Sequence, residues 1–120
     1  MMDRRNMIKT SVAVGAVATF AGAAGTLPRR DKVQVAFMLG EGTNTIDTLG
    51  PWEVFQDVMI GGGMDMRHPF ELYTVGASLD PVTMTGGFKA VPHYSVANAP
   101  QPNVIVIPAH RTHDALQAWL

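Results

Sequence analysis

The side chains able to do chemistry in this 120-residue chain are few, and one kind is missing altogether: there is no cysteine. A disulfide scaffold, a cysteine–metal site and a thiol nucleophile drawn from these residues are thereby excluded. His110-Arg111-Thr112-His113 sets two imidazoles three residues apart, a spacing that can share a metal on one helix face. No third ligand accompanies them, and a helix starting near Thr112 leaves His110 in the preceding loop, so no metal is expected. His68 and His93 stand in polar contexts and read as surface histidines. Gly61-Gly62-Gly63 follows a helix and lacks the Lys-Ser/Thr of a phosphate-binding loop, so it reads as a flexible connector. Of the eight methionines, three fall in or near the N-terminal segment, and core filling accounts for the others. Asp47 taken alone is an acid at a helix start, where the macrodipole favours negative charge.

The N-terminal segment has its own logic. Residues 4–9 read Arg-Arg-Asn-Met-Ile-Lys, and the chain is then uncharged from Thr10 to Pro28. Residues 11–24 are mostly Ala, Val and Gly, too short and too weakly apolar for the roughly 20 residues of a membrane span. Paired arginines, a modest apolar stretch and Ala21-Gly22-Ala23 fit the basic, apolar and cleavage regions of a twin-arginine signal over residues 1–25. The expected location is the periplasm or beyond, with membrane contact only during export. Nine Lys/Arg stand against ten Asp/Glu, and Arg4, Arg5, Lys9 and Asp3 lie in the signal. Residues 26–120 are therefore mildly acidic and carry no basic stripe, so nucleic acid is not an expected partner.

The rest of the chain must position whatever site exists, and its length allows one domain. After a polar lead-in at residues 28–32, residues 33–39 form a short apolar run rich in Val and Phe, a buried strand. Ile46, Leu49, Trp52, Val54, Phe55, Val58 and Met59 recur at spacings of three and four, a helix capped by Asn44 or Thr45. Pro51 predicts a kink there, or a helix that begins at it. Residues 70–76 alternate as a strand, and residues 82–85 and 88–91 make a hairpin about Gly86-Gly87. Residues 100–103 are a loop, and residues 104–108 form the most apolar strand. Thr112 reads as the N-cap of a closing helix, with Asp114 in its first turn and Leu116, Trp119 and Leu120 on one face. Continuous apolar strands at 33–39 and 104–108 predict a parallel sheet covered on both faces. The apolar stripe is unfinished at Leu120, so the sequence reads as cut off within a domain.

The strand at 33–39 followed by Ile46-Asp47-Thr48-Leu49-Gly50-Pro51-Trp52-Glu53-Val54-Phe55 resembles the first strand and helix of the ThiJ/PfpI family. That family lies in the class I glutamine-amidotransferase-like superfamily, which includes the parkinsonism-associated deglycase. The Asp-x-x-Gly-Pro-x-Glu-Val-Phe form looks like its isonitrile-hydratase and AraC-regulator branch. Thr85-Gly86-Gly87-Phe88, Val91-Pro92 and Asn98-Ala99-Pro100 resemble the same branch. The resemblance implies a flavodoxin-like α/β sandwich with a mostly parallel sheet, of which this chain is the N-terminal part. It implies a cysteine-dependent small-molecule hydrolase or hydratase without cofactor, in relatives that often form homodimers. Asp47 matches the acid that touches the family's nucleophilic sulfur, which would follow Leu120. Gly50, Pro51, Glu53 and Phe55 complete the motif as structural positions. Ala109 and His110 replace the Gly-Gly whose backbone N–H groups face the substrate oxygen. The alternatives are a ligand-binding module like the sensor half of AraC-type regulators, or a truncated product without function.

If the signal assignment holds, replacing Arg4 and Arg5 together by Lys leaves an unprocessed precursor in the cytoplasm. Fractionation and immunoblotting check it; unchanged processing outside the cytoplasm would reject the twin-arginine route.

Overall fold

A computed structural model of the chain describes residues 32–111 and 113–120. Residues 1–25, where a twin-arginine signal is expected, most of the polar lead-in and Thr112 lie outside the described residues. Strand β1 is Val33–Leu39 and helix α1 is Thr45–Asp57. Strands β2 (Phe70–Gly76), β3 (Val82–Thr83), β4 (Lys89–Ala90), β5 (Tyr94–Ser95) and β6 (Val104–Val106) follow, and helix α2 is Asp114–Trp119. The main sheet has the order β5-β2-β1-β6 with every pairing parallel, and β3 and β4 form a separate antiparallel hairpin. This is the α/β, flavodoxin-like arrangement, a mostly parallel sheet flanked by helix.

The full-length pairing of β1 with β2, from Val33 beside Phe70 to Leu39 beside Gly76, sorts the core into two faces. Phe37 lies on one face and meets the rings of Trp52 and Phe55 from α1 at 5.0 and 6.2 Å. Phe55 in turn stands edge-on to Phe70 at 4.9 Å. On the other face Ala36, Tyr73 and Val75 are buried, with Trp119 of α2, Tyr94, Val96 and Ala99 packed against them. The Tyr73 hydroxyl donates to the Pro100 carbonyl at 2.8 Å, which removes the cost of burying it. Asn103 draws β6 into the sheet: its amide donates to the Gln34 carbonyl and its side-chain oxygen accepts from the Gln34 N–H, each at 2.9 Å.

Several sequence expectations are corrected here. Cover on both faces holds for β1 and β2 but not for β6, a three-residue edge strand among the described residues. Val104 there stays 37% exposed, and Ile107 just beyond the strand 55%. Helix α1 starts at Thr45, six residues before Pro51, with Asn44 as its cap, the side chain accepting the Ile46 N–H at 3.2 Å. Pro51 sits inside the helix, and Gly50 before it has no Cβ to clash with the proline ring. The buried side of α1 is Thr48 with half-buried Trp52 and Phe55; Ile46, Leu49, Val54 and Met59 are exposed. Spacings of three and four were right, but the stripe they marked was too wide for the sheet to cover. The N-cap of α2 is His113, whose ring nitrogen accepts the Ala115 N–H, not Thr112. Gly61–Gly63 is a turn closed by a bridge between Ile60 and Arg67, not a loose connector.

Gly76 ends β2 where the chain folds back on itself. A Cβ added there would lie 2.6 Å from Pro92 Cγ and 2.8 Å from the Ser78 carbonyl oxygen, and the second is backbone that cannot rotate away. Gly76→Ala is expected to lower stability by about 1–3 kcal/mol, read from the urea midpoint. An unchanged midpoint would show that this corner is looser than its geometry.

Candidate functional site

The chain runs from β1 to β2 on one side, while β6 joins β1 on the other, so the strand order reverses at β1. Ligands of open α/β sheets bind outside the carboxyl ends of the strands at such a switch point. The segments that meet there are residues 40–47, after β1, and residues 108–111, after β6. The Asn44 N–H donates to the Ala109 carbonyl at 2.7 Å, and the Arg111 N–H donates to the Glu41 carbonyl at 3.1 Å. Two backbone bonds thus hold the strand ends side by side.

Asp47 stands in the first turn of α1, exposed, and its carboxylate accepts the Ala109 N–H at 3.4 Å. Residues 62 apart in the chain are thereby brought together at the switch point. The Ala109 N–H faces this carboxylate rather than open space, so a substrate oxygen would compete with Asp47 for it. His110 folds over the end of β1: its Nδ1 donates to the Pro108 carbonyl at 2.7 Å, since a carbonyl can only accept. A Cβ on Gly40 would lie 2.6 Å from His110 Cδ2. Of the remaining motif residues, Phe55 is a core ring. Glu53 is exposed and accepts from the Gln56 side chain at 3.2 Å, away from the switch point. A Cβ on Gly50 would meet only Ile46 Cδ1, at 3.9 Å.

Two clefts flank this corner. One, of about 150 Å³, is bounded by Gly40, Glu41, Ser78, Asp80, His113 and Leu116. The other, of about 180 Å³, lies between α1 and the β3–β4 hairpin, with Trp52, Thr74, Met84, Phe88 and His93 in its lining. His93 is exposed, as its context suggested, yet its ring is held by partners. The Thr74 N–H donates to its Nδ1 at 3.0 Å, and Trp52 stacks on the ring at 6.1 Å with planes 4° apart. An Nδ1 that accepts leaves the proton of the neutral ring on Nε2. No local signal marks this pairing, because Thr74, Trp52 and His93 are far apart in sequence. His110 and His113 join no group of three His, Cys, Asp or Glu placed to hold a metal ion among the described residues.

No family model matches the chain, and the search of curated proteins gave no match. Among solved structures it is similar to a ThiJ/PfpI family protein from Pseudomonas syringae, with a TM-score of 0.54 and 26% sequence identity over 70% of this chain. That likeness supports the family as well as the fold. The chain spans 31% of the length of that protein.

The close fit of His110 over Gly40 is testable by a double-mutant cycle. Gly40→Ala is expected to cost about 1–3 kcal/mol through the clash with the imidazole. His110→Ala should remove most of that cost, a coupling of about 0.5–3 kcal/mol. Additive urea midpoints would mean that the two residues do not touch.

Proposed function

We propose that the chain supplies the acid and backbone part of a ThiJ/PfpI-type cysteine site, in an exported protein that acts on a small molecule without a cofactor. The observation that carries this reading is the placement of Asp47 beside the Ala109 N–H at the point where the strand order reverses. A thiol is a weak nucleophile until its proton is removed or shared, and a neighbouring carboxyl can hold or shuttle that proton. The chain itself contains no cysteine, so the thiol belongs to residues other than these 120. Attack on an electrophilic carbon, followed by addition of water, makes the reaction a hydrolysis or hydration. A ligand-binding module is the second reading. The cleft lined by Trp52, Phe88 and His93 favours it, being apolar with an imidazole in its wall.

The test is the reading frame followed past the Leu120 codon and the protein it encodes. The expected product carries a cysteine between a strand and a helix. Asp47→Asn in it should shift the pH profile of thiol alkylation and lower turnover by about 10²–10⁴-fold, the usual contribution of an acid–base partner. Superimposable profiles, or a frame without such a cysteine, would overturn the enzyme reading and leave the binding module.

A further inference from the structure

The methionines divide sharply. Met38 and Met84 are buried at 1% and 3% exposure, whereas Met59, Met64 and Met66 are exposed at 50%, 103% and 51%. Core filling explains the first two and not the other three, which fall within eight consecutive residues. Exposed thioethers are costly to keep in water and gain nothing there from packing.

The turn that carries them has a defined register. Ile60 and Arg67 exchange both backbone hydrogen bonds, each at 2.9 Å, and so form a hydrogen-bonded antiparallel pair. The bridge is isolated, and its register sets Met59 opposite His68 and Gly61 opposite Met66. Side chains alternate across a strand, so Met59, Met66 and His68 share the side opposite Ile60 and Arg67. Directly opposed residues of this kind hold their Cβ atoms about 4.5–5.5 Å apart, with diagonal neighbours within reach of long side chains. Gly61, at φ +89°, puts no side chain between them; a Cβ there would lie 2.5 Å from the Asp65 carbonyl oxygen.

His68 supplies the second, independent observation. Its Nδ1 lies 3.2 Å from the Val58 carbonyl oxygen, which can only accept. In the neutral ring the proton therefore sits on Nδ1, and Nε2 keeps its lone pair. A ring nitrogen donating to a backbone carbonyl is the arrangement that orients metal-binding histidines and fixes their tautomer. Two neutral thioethers with one neutral imidazole make a soft donor set, which selects Cu(I) over Zn(II) or harder cations.

We propose that Met59, Met66 and His68 form a binding site for a Cu(I) ion on the turn between α1 and β2, separate from the switch point. Met64, in the Gly63–Asp65 turn at the tip, lies outside the paired register and is not a ligand. The site needs no thiol, and it involves only coordination, with no change of oxidation state.

The experiment titrates the full chain anaerobically with Cu(I) against a chromophoric Cu(I) chelator, and examines the loaded protein by X-ray absorption. One ion per chain with both sulfur and nitrogen neighbours is expected, unaffected by excess Zn(II). Even orienting partners of metal ligands contribute about 10–100-fold to affinity, so Met59→Leu and Met66→Leu should each weaken binding at least tenfold. His68→Phe should remove the nitrogen neighbour, and Met64→Leu should leave affinity unchanged. All four residues are exposed, and unchanged amide spectra would confirm that the variants keep the fold. Full affinity in the Met59/Met66/His68 triple variant would place the ion elsewhere, the methionines of the N-terminal segment included, and overturn the proposal. So would a shell of sulfur alone, Zn(II) competing on equal terms, or a loss in Met64→Leu as large as in Met59→Leu.

Discussion

The hydroxyl of Thr43 is buried completely, accepts the Gly40 N–H at 2.9 Å and donates to the Gly40 carbonyl. The Thr43 N–H donates to that same carbonyl at 3.1 Å, and the Thr43 carbonyl accepts the Thr85 N–H at 2.9 Å. The Thr43 side chain thus closes the turn that takes the chain from β1 into α1, and its backbone carbonyl ties that turn to the hairpin. A buried hydroxyl without partners would cost about 1–3 kcal/mol, so the turn is stable only in the conformation that serves all of these bonds. That conformation aims the Asn44 N–H at Ala109 and the Gly42 N–H at Thr83. The two strand ends, the helix start and the hairpin take their relative positions from it.

The phase of α1 follows from the same anchor. With Asn44 as cap, Thr48, Trp52 and Phe55 turn toward Phe37 and the sheet. Asp47 precedes Thr48 by one residue, about 100° around the helix, so it flanks the buried side instead of joining it. That offset carries the carboxylate toward the end of β6 rather than into the core. A charged group at this position keeps access to water and still reaches a backbone N–H. The hairpin fastens the helix from the other side: Thr45 donates its N–H to the Thr85 hydroxyl at 3.0 Å and its own hydroxyl to the Thr85 carbonyl at 2.8 Å. Helix α1 is therefore held by polar bonds at its start and by aromatic rings along its length, which lets several of its apolar residues remain exposed.

What was legible in the sequence is what depends on continuous local pattern. Strands β1 and β2 occupy the residues expected, because each is an unbroken run with turn chemistry after it. The Gly86-Gly87 hairpin is where the glycines required it, at φ +74° and +82°, though its strands are only two residues long. Strand β5 was not legible: two residues pair with Val75 and Gly76 only because Thr74 grips His93 and Gly76 accepts the Val96 N–H. The cap of α2 moved one residue because a histidine ring nitrogen can replace a hydroxyl as acceptor. The exposed methionines were misread because composition cannot distinguish a thioether in the core from one in a turn. In the site, the likeness to a family pointed to Asp47, but its partner across 62 residues required the fold.

The site also shows how a bulky ring is accommodated at a corner closed by backbone bonds. A bulky imidazole at position 110 needs space where the ends of β1 and β6 are held together by backbone bonds. The space comes from Gly40, which presents no Cβ to the ring, and Gly40 is itself buried under the Thr43 hydroxyl. Ala109 itself has a narrower backbone range, and so a steadier N–H, than a glycine there would have. That N–H is committed to Asp47, while the His110 ring is committed to Pro108. Both groups are therefore held by partners within the chain. A ligand entering this corner must displace a 3.4 Å bond from a carboxylate before it gains the same donor.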